Sequence, residues 1–364
     1  MCETDFEFYQ KQLDLGLDVR VELPDLPIGP GSDVSVRCWK EAPAKEGDVS
    51  LLHKEYDTPS GTLKAIVRQV EDWPYGDQVP LLDDYLACRS EKFLVSRPED
   101  LPALRHLLAP PGDEAIAAFG DMAKEYRRFA EDHELLFTGG YRTYRADNIP
   151  LSGADGTTFG IDGLMWLCGS TEPLFWAYDQ PGFLEELIDI MATFTRRRIE
   201  IFLDLGVRVI FKRAWYEGTS FWSPELFRKL IAPVLREDIA LVHQAGVKFG
   251  YFQDSGTMPI LDQLLELGVD ALVGFDPVEG IGTDLAELAS RVSGKMCLWG
   301  GVCGPLKIEQ KSYEDIRQAV ANAISTCGTS GGYIVAPVAL RADSEETWQN
   351  VRDFIKAWQE ARDV

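Results

Sequence analysis

Three short stretches of this 364-residue chain carry side chains able to hold a ligand or move a proton. They are Lys212-Arg213 with Tyr216-Glu217 just beyond, Gln253-Asp254-Ser255, and Asp276 before Pro277. Carboxylates serve as general acids or bases, while tyrosine and glutamine add directional hydrogen bonds. Each stretch ends an apolar run, VRVIFKRAW, VKFGYFQD or ALVGFDP, with the composition of a buried strand. Each also has a plainer reading. Asp254, ahead of Ser255-Gly256, can cap the next helix, Asp276 can open a turn, and Tyr216 and Glu217 can lie in a solvated loop. Lys212 and Arg213 are unusual inside a strand, so one is expected to pair with an acid, in a site or as a purely structural ion pair. Asp83 and Asp84 in PLLDDY read as acidic surface, with a place over the pocket as the alternative.

The elements that must position these groups follow from periodicity. A helix over 114–133 and a strand over 134–141 precede two helices, over 159–180 and 182–205, separated at Pro181. Then come a strand over 207–215, a helix opened by Ser223-Pro224-Glu225, a strand over 247–254, and a helix over 259–267 ended by Gly268. Strands over 271–277, 296–302 and 332–338 alternate with helices over 284–292, 312–327 and 345–361. Ahead of all this stand a short helix over 5–15 and a strand over 19–23. Alternating strands and helices with short connections predict an α/β protein built on a parallel sheet, as one domain over 1–364. Residues 26–113, rich in Pro, Gly and acids, predict an irregular β-rich insertion or cap.

Composition narrows the partners. With 36 basic against 59 acidic residues the formal charge is −23, which disfavours phosphate backbones and anionic membranes. The chain has no apolar run of about 20 residues and no leader-like start, so it reads as cytoplasmic. The seven cysteines are scattered and read as free thiols, with Cys297 and Cys303 in a buried strand. The four histidines lack metal or nucleophile spacing, and no phosphate loop or nucleophile elbow is found.

The segments YEGTSFWSPELFRKLIAPVLREDIALVHQAGVKFGYFQDSG, MPILDQLLELGVDALVGFDP, LWGGV and GGYIVAPV together resemble the uroporphyrinogen decarboxylase superfamily, including its corrinoid-linked methyltransferase branch. The resemblance implies a (β/α)8 TIM-type barrel with its site at the carboxyl ends of the strands. Seven barrel strands are visible, so either the start lies upstream, or a partner or the 34–39 segment fills the first place. For decarboxylation the family's arginine-bearing loop has no counterpart, its late histidine falls on Ala339, and its aspartate aligns loosely with Asp25. In the thiol-methylating branch the His-x-Cys zinc ligands fall on Gln253 and Ser255 and the third ligand on Ala339, so no zinc is expected.

What the resemblance leaves is a zinc-independent methyltransferase, moving a methyl group between a corrinoid (cobalamin) on a partner protein and an acceptor such as tetrahydrofolate. Asp254, Glu217 and Tyr216 are then the catalytic candidates, and Gln253, Asp276, Ser255 and Arg213 the substrate-binding ones. The alternatives are a decarboxylase or lyase of a small carboxylated substrate or a tetrapyrrole, and a non-catalytic corrinoid- or tetrapyrrole-binding protein.

Overall fold

A computed structural model describes residues 2–24, 26, 29–43, 45, 47–142, 158–278, 282–340 and 344–362. Its contacts group the chain into two units, Met1–Arg213 with Gln244–Val247, and Ala214–His243 with Lys248–Val364. Asp25 lies outside the described residues.

In the first unit, β1 (Arg20–Glu22) follows the helix Asp5–Asp14. Next, β2 (Ser35–Glu41), β3 (Ser50–Thr58), β4 (Gly61–Gln69) and β5 (Ser90–Lys92) form an antiparallel sheet in that order, which is the insertion. Then β6 (Leu136–Gly140) pairs parallel with β1, and β8 (Val209–Arg213) pairs parallel with β6, while the two-residue β7 (Thr158–Phe159) also lies parallel to β8. In the second unit, β9 (Lys248–Phe252), β10 (Ala271–Phe275), β11 (Cys297–Cys303) and β12 (Tyr333–Val338) pair parallel in chain order. Apart from the short β7, seven parallel strands among the described residues thus carry the βα repeat of a TIM-type barrel.

Local chemistry explains the boundaries in the second unit. Ser223, Asp284, Ser312 and Ser344 each accept a hydrogen bond from the backbone amide three residues on, opening the helices that begin at Pro224, Leu285, Tyr313 and Glu345. Gly268, at φ +84°, ends Leu261–Leu267 in the left-handed conformation that a side chain disfavours. The closing helix, Glu345–Ala361, occupies the span its periodicity predicts.

Two expectations are corrected. The helix read over 159–180 is two, Asp162–Cys168 and Glu172–Asp179, with Phe159 in β7. The break falls at Gly169 (φ +80°), where a Cβ would come within 2.7 Å of the Phe93 ring, so a residue distant in sequence decides the interruption. The 34–39 segment does not fill a barrel place either: Ser35–Glu41 pairs antiparallel with β3. Among the described residues no helix is long and apolar enough to cross a membrane.

Close strand-to-helix packing holds β6. A Cβ on Gly139 would lie 2.8 Å from the Phe202 ring on the helix Pro181–Asp204, and Gly139 is in register with Ile210 of β8. Gly139→Ala should therefore lower stability by about 1–3 kcal/mol through overpacking, read as a drop in the urea midpoint at unchanged slope.

Candidate active site

Beyond β8 the chain turns through residues 214–222, and beyond β9 through 253–257. Backbone bonds lock the two turns together. The Ala214 amide donates to the Phe252 carbonyl at 2.9 Å, and the Thr219 hydroxyl donates to the Gly256 carbonyl at 2.8 Å. The Ser220 and Ser255 hydroxyls meet at 3.2 Å. The turns are so close that a Cβ on Gly218 would overlap the Gln253 side-chain nitrogen and the Ser255 carbonyl oxygen. The buried Trp222 indole donates to the Tyr216 carbonyl at 2.8 Å, and the Tyr216 ring meets Phe221 edge-on.

This packing fixes a buried polar group. Glu217, with no exposed surface, accepts at Oε2 from the hydroxyl of the equally buried Tyr251 at 2.6 Å. Gln253, the first residue beyond β9, is also buried. Its amide nitrogen donates to the Ser255 carbonyl at 2.6 Å, which settles the orientation of the amide. Its Oε1 is buried without a hydrogen-bond partner among the described residues. Leaving such an acceptor unmet costs about 1–3 kcal/mol, so it points to a ligand or water that donates to it.

The tip of β10 joins the same network. The Asp276 amide donates to the Asp254 carbonyl at 3.2 Å, and the Asp276 carbonyl accepts from the Thr283 amide at 2.9 Å. Asp276 Oδ1 accepts from the Val278 amide at 2.7 Å, so the turn-opening reading of this residue holds alongside any role toward a ligand. The helix-capping alternative for Asp254 is not what is seen: Thr257 stands at the cap of Met258–Ile260, and no side chain caps there. Tyr216, Glu217, Gln253, Asp254, Ser255 and Asp276 are thus brought into one connected set. Tyr251 was missed in the sequence.

The three residues on which the resemblance would set zinc ligands are engaged in other ways or lack a donor. The Gln253 amide is engaged with the Ser255 carbonyl, the Ser255 hydroxyl meets Ser220, and Ala339 has no donor atom. These residues do not fit a zinc ion.

Arg213 belongs to a different group, within the first unit. Its side chain is fully buried, its Nη1 donates to Asp162 Oδ2 at 2.6 Å, and its Nη2 donates to both oxygens of Asp84 at 2.8 and 2.7 Å. Trp166 also donates to Asp84, at 2.9 Å, and the guanidinium lies 5.1 Å from the Trp166 ring centre. The guanidinium fork is thus taken up by carboxylates, which is the structural ion pair rather than the substrate contact expected of Arg213. Asp84 is correspondingly not acidic surface: it opens the insertion helix Asp84–Arg89 and ties it to β8. Asp83 is buried too, accepting from the Tyr75 hydroxyl at 2.6 Å and the Tyr85 amide at 2.7 Å. Burial pushes the neighbouring Tyr141 phenol up to about 12, against the opposing pull of Arg213.

Residues 146–360 match the uroporphyrinogen decarboxylase (URO-D) family. The chain belongs to this family. No curated protein sequence matches it. Among solved structures, a methyltransferase from Methanosarcina mazei is similar at a TM-score of 0.50 and 15% identity, over 66% of this chain and 64% of that one. A B12-independent methionine synthase from Shewanella sp. W3-18-1 is similar at 0.46 and 10%, over 66% and 65%. The chain therefore spans just under two thirds of either neighbour, and at 15% identity the likeness to the Methanosarcina mazei protein is one of fold.

Two outcomes follow from the buried groups. Asp162→Ala leaves Arg213 short of one carboxylate and should cost roughly 3 kcal/mol in urea unfolding. Tyr141 has its folded pKa raised above the unfolded 10.0, so its contribution is intact below pH 10 and lost as pH rises toward about 12. Tyr141→Phe should flatten that alkaline decline in stability.

Proposed function

We propose that this chain is a zinc-independent methyltransferase, passing a methyl group between a corrinoid carried by a partner protein and a nitrogen acceptor of the tetrahydrofolate type. The observation that carries the reading is the sign of the site. Residues 214–222, 253–258 and 276–278 contain Glu217, Asp254 and Asp276 but no lysine or arginine. To these acceptors the buried Gln253 adds its unmet Oε1. Such a set suits a ligand that presents N–H groups, as a pterin does, and opposes one bearing many carboxylates.

A methylcorrinoid, when bound, would supply the methyl group as an electrophile and keep the electron pair of its bond to carbon. The acceptor nitrogen forms the new bond to carbon and releases its proton. Glu217 takes that proton, and Tyr251, donating to Glu217 Oε2 at 2.6 Å, holds the carboxylate in place. Gln253 Oε1 and Asp276 accept from the pterin amino and ring N–H groups, with Asp254, Tyr216 and Ser255 completing the contact. In the reverse direction Glu217 returns the proton.

Absorbance of methylcobalamin, followed with and without tetrahydrofolate, tests the reading. Folate-dependent loss of the methylcobalamin spectrum is expected. A spectral shift without turnover would instead mean binding alone, and carbon dioxide released from a carboxylated substrate, with cobalamin unaffected, would mean a lyase. Glu217→Gln keeps an acceptor for Tyr251 but not the base, and should slow transfer about 10²–10⁴-fold with little change in melting temperature. Full activity in that variant would remove Glu217 from the chemistry.

A further inference from the structure

The first unit contains a cavity of about 390 Å³ that the strand-end chemistry does not use. One wall is the helix Pro181–Asp204, through Ile190, Thr193, Phe194, the run Arg196-Arg197-Arg198, and Glu200. The other is Arg105, on the helix Leu101–Leu107, with Leu108, Pro110 and Pro111. Among the described residues four guanidinium groups against one carboxylate line it, in a chain whose formal charge is −23. The apolar part is firm: Leu108, Ile190 and Phe194 are buried, and two consecutive prolines have little freedom to move.

The guanidinium groups differ in how firmly they are held. Arg198 is buried, donates to the Leu26 carbonyl and stacks 5.0 Å from the Phe194 ring centre, so it belongs to the wall. Arg105 and Arg197 are about half exposed, and their pairs, to Glu186 at 3.2 Å and Glu200 at 2.8 Å, join two exposed side chains in each case. Exposed pairs of this kind contribute little and exchange readily for a stronger anion. A guanidinium fork matches phosphate or carboxylate in a bidentate manner, and the volume falls in the range of small-molecule sites.

We infer that this cavity is a second ligand site, taking a small organic anion whose aromatic or branched apolar body rests on Leu108, Pro110, Ile190 and Phe194 while its phosphate or carboxylate is gripped by Arg105 and Arg197, with Arg196 beside them. It stands independently of the methyl-transfer reading, since none of its residues enters that chemistry.

Isothermal titration of the intact protein with 1-naphthyl phosphate tests this, with 1-naphthol and inorganic phosphate as the two halves of the probe. Binding of the whole probe at one site is expected, with each half about tenfold weaker or worse. The double variant Arg105→Gln, Arg197→Gln should weaken binding by about tenfold or more while melting at the wild-type temperature, because both side chains are half exposed. Higher salt should weaken the wild type in the same direction. Absence of binding, equally tight binding of naphthol or of phosphate alone, or an unaffected double variant would each overturn the assignment.

Discussion

The candidate site depends on one close approach. The turn after β8 crosses the turn after β9 with no space for a side chain at Gly218, and that contact presses against the Gln253 amide and the Ser255 carbonyl. Gly256, at φ +68°, meets the Thr219 amide from the other side. Two glycines, one from each turn, therefore let two backbones lie against each other. The backbone bonds, with the Thr219 hydroxyl beside them, then orient Glu217 and Gln253. A buried carboxylate, a buried phenol and a buried amide would otherwise be costly to hold together. Here each has a partner imposed by the crossing, and among the described residues the Gln253 amide oxygen is left for something that donates to it.

The buried arginine follows a different logic. Arg213 sits at the last position of β8 and collects carboxylates from Asp162 and Asp84, two positions separated in the chain by the helices Leu101–Leu107 and Asp113–Asp132 and by β6. A fully buried guanidinium needs this much compensation, and the compensation gathers chain segments that share no strand pairing with one another. Charge inside the strand is thus an organising device: the insertion helix that begins at Asp84 is fastened to the parallel sheet through a side chain rather than through the backbone.

Much of the fold was legible before any coordinates because the βα repeat is written in local terms. Serine and aspartate caps, Gly268 as a stop and the apolar runs of β9 to β12 each act over a few residues. The readings that failed depended on distant partners. Nothing near Gly169 announces that the Phe93 ring will occupy the place of its side chain. Nothing beside Asp84 distinguishes it from surface acid, since its neutralising partner lies 129 positions away. The site was half legible. Residue types at strand ends marked Glu217, Gln253 and Asp276, but Tyr251 and its donation to Glu217 required the fold.

The Gln253–Ser255 contact also limits what can replace the amide at this position. An imidazole in place of the amide could no longer donate in the same way to the Ser255 carbonyl, which lies against Gly218 and would need another donor. Ala339 adopts φ +55°, beside a Gly304 whose own Cβ would press on the 338–340 backbone. Main-chain geometry, more than side-chain contact, therefore restricts what this loop can carry.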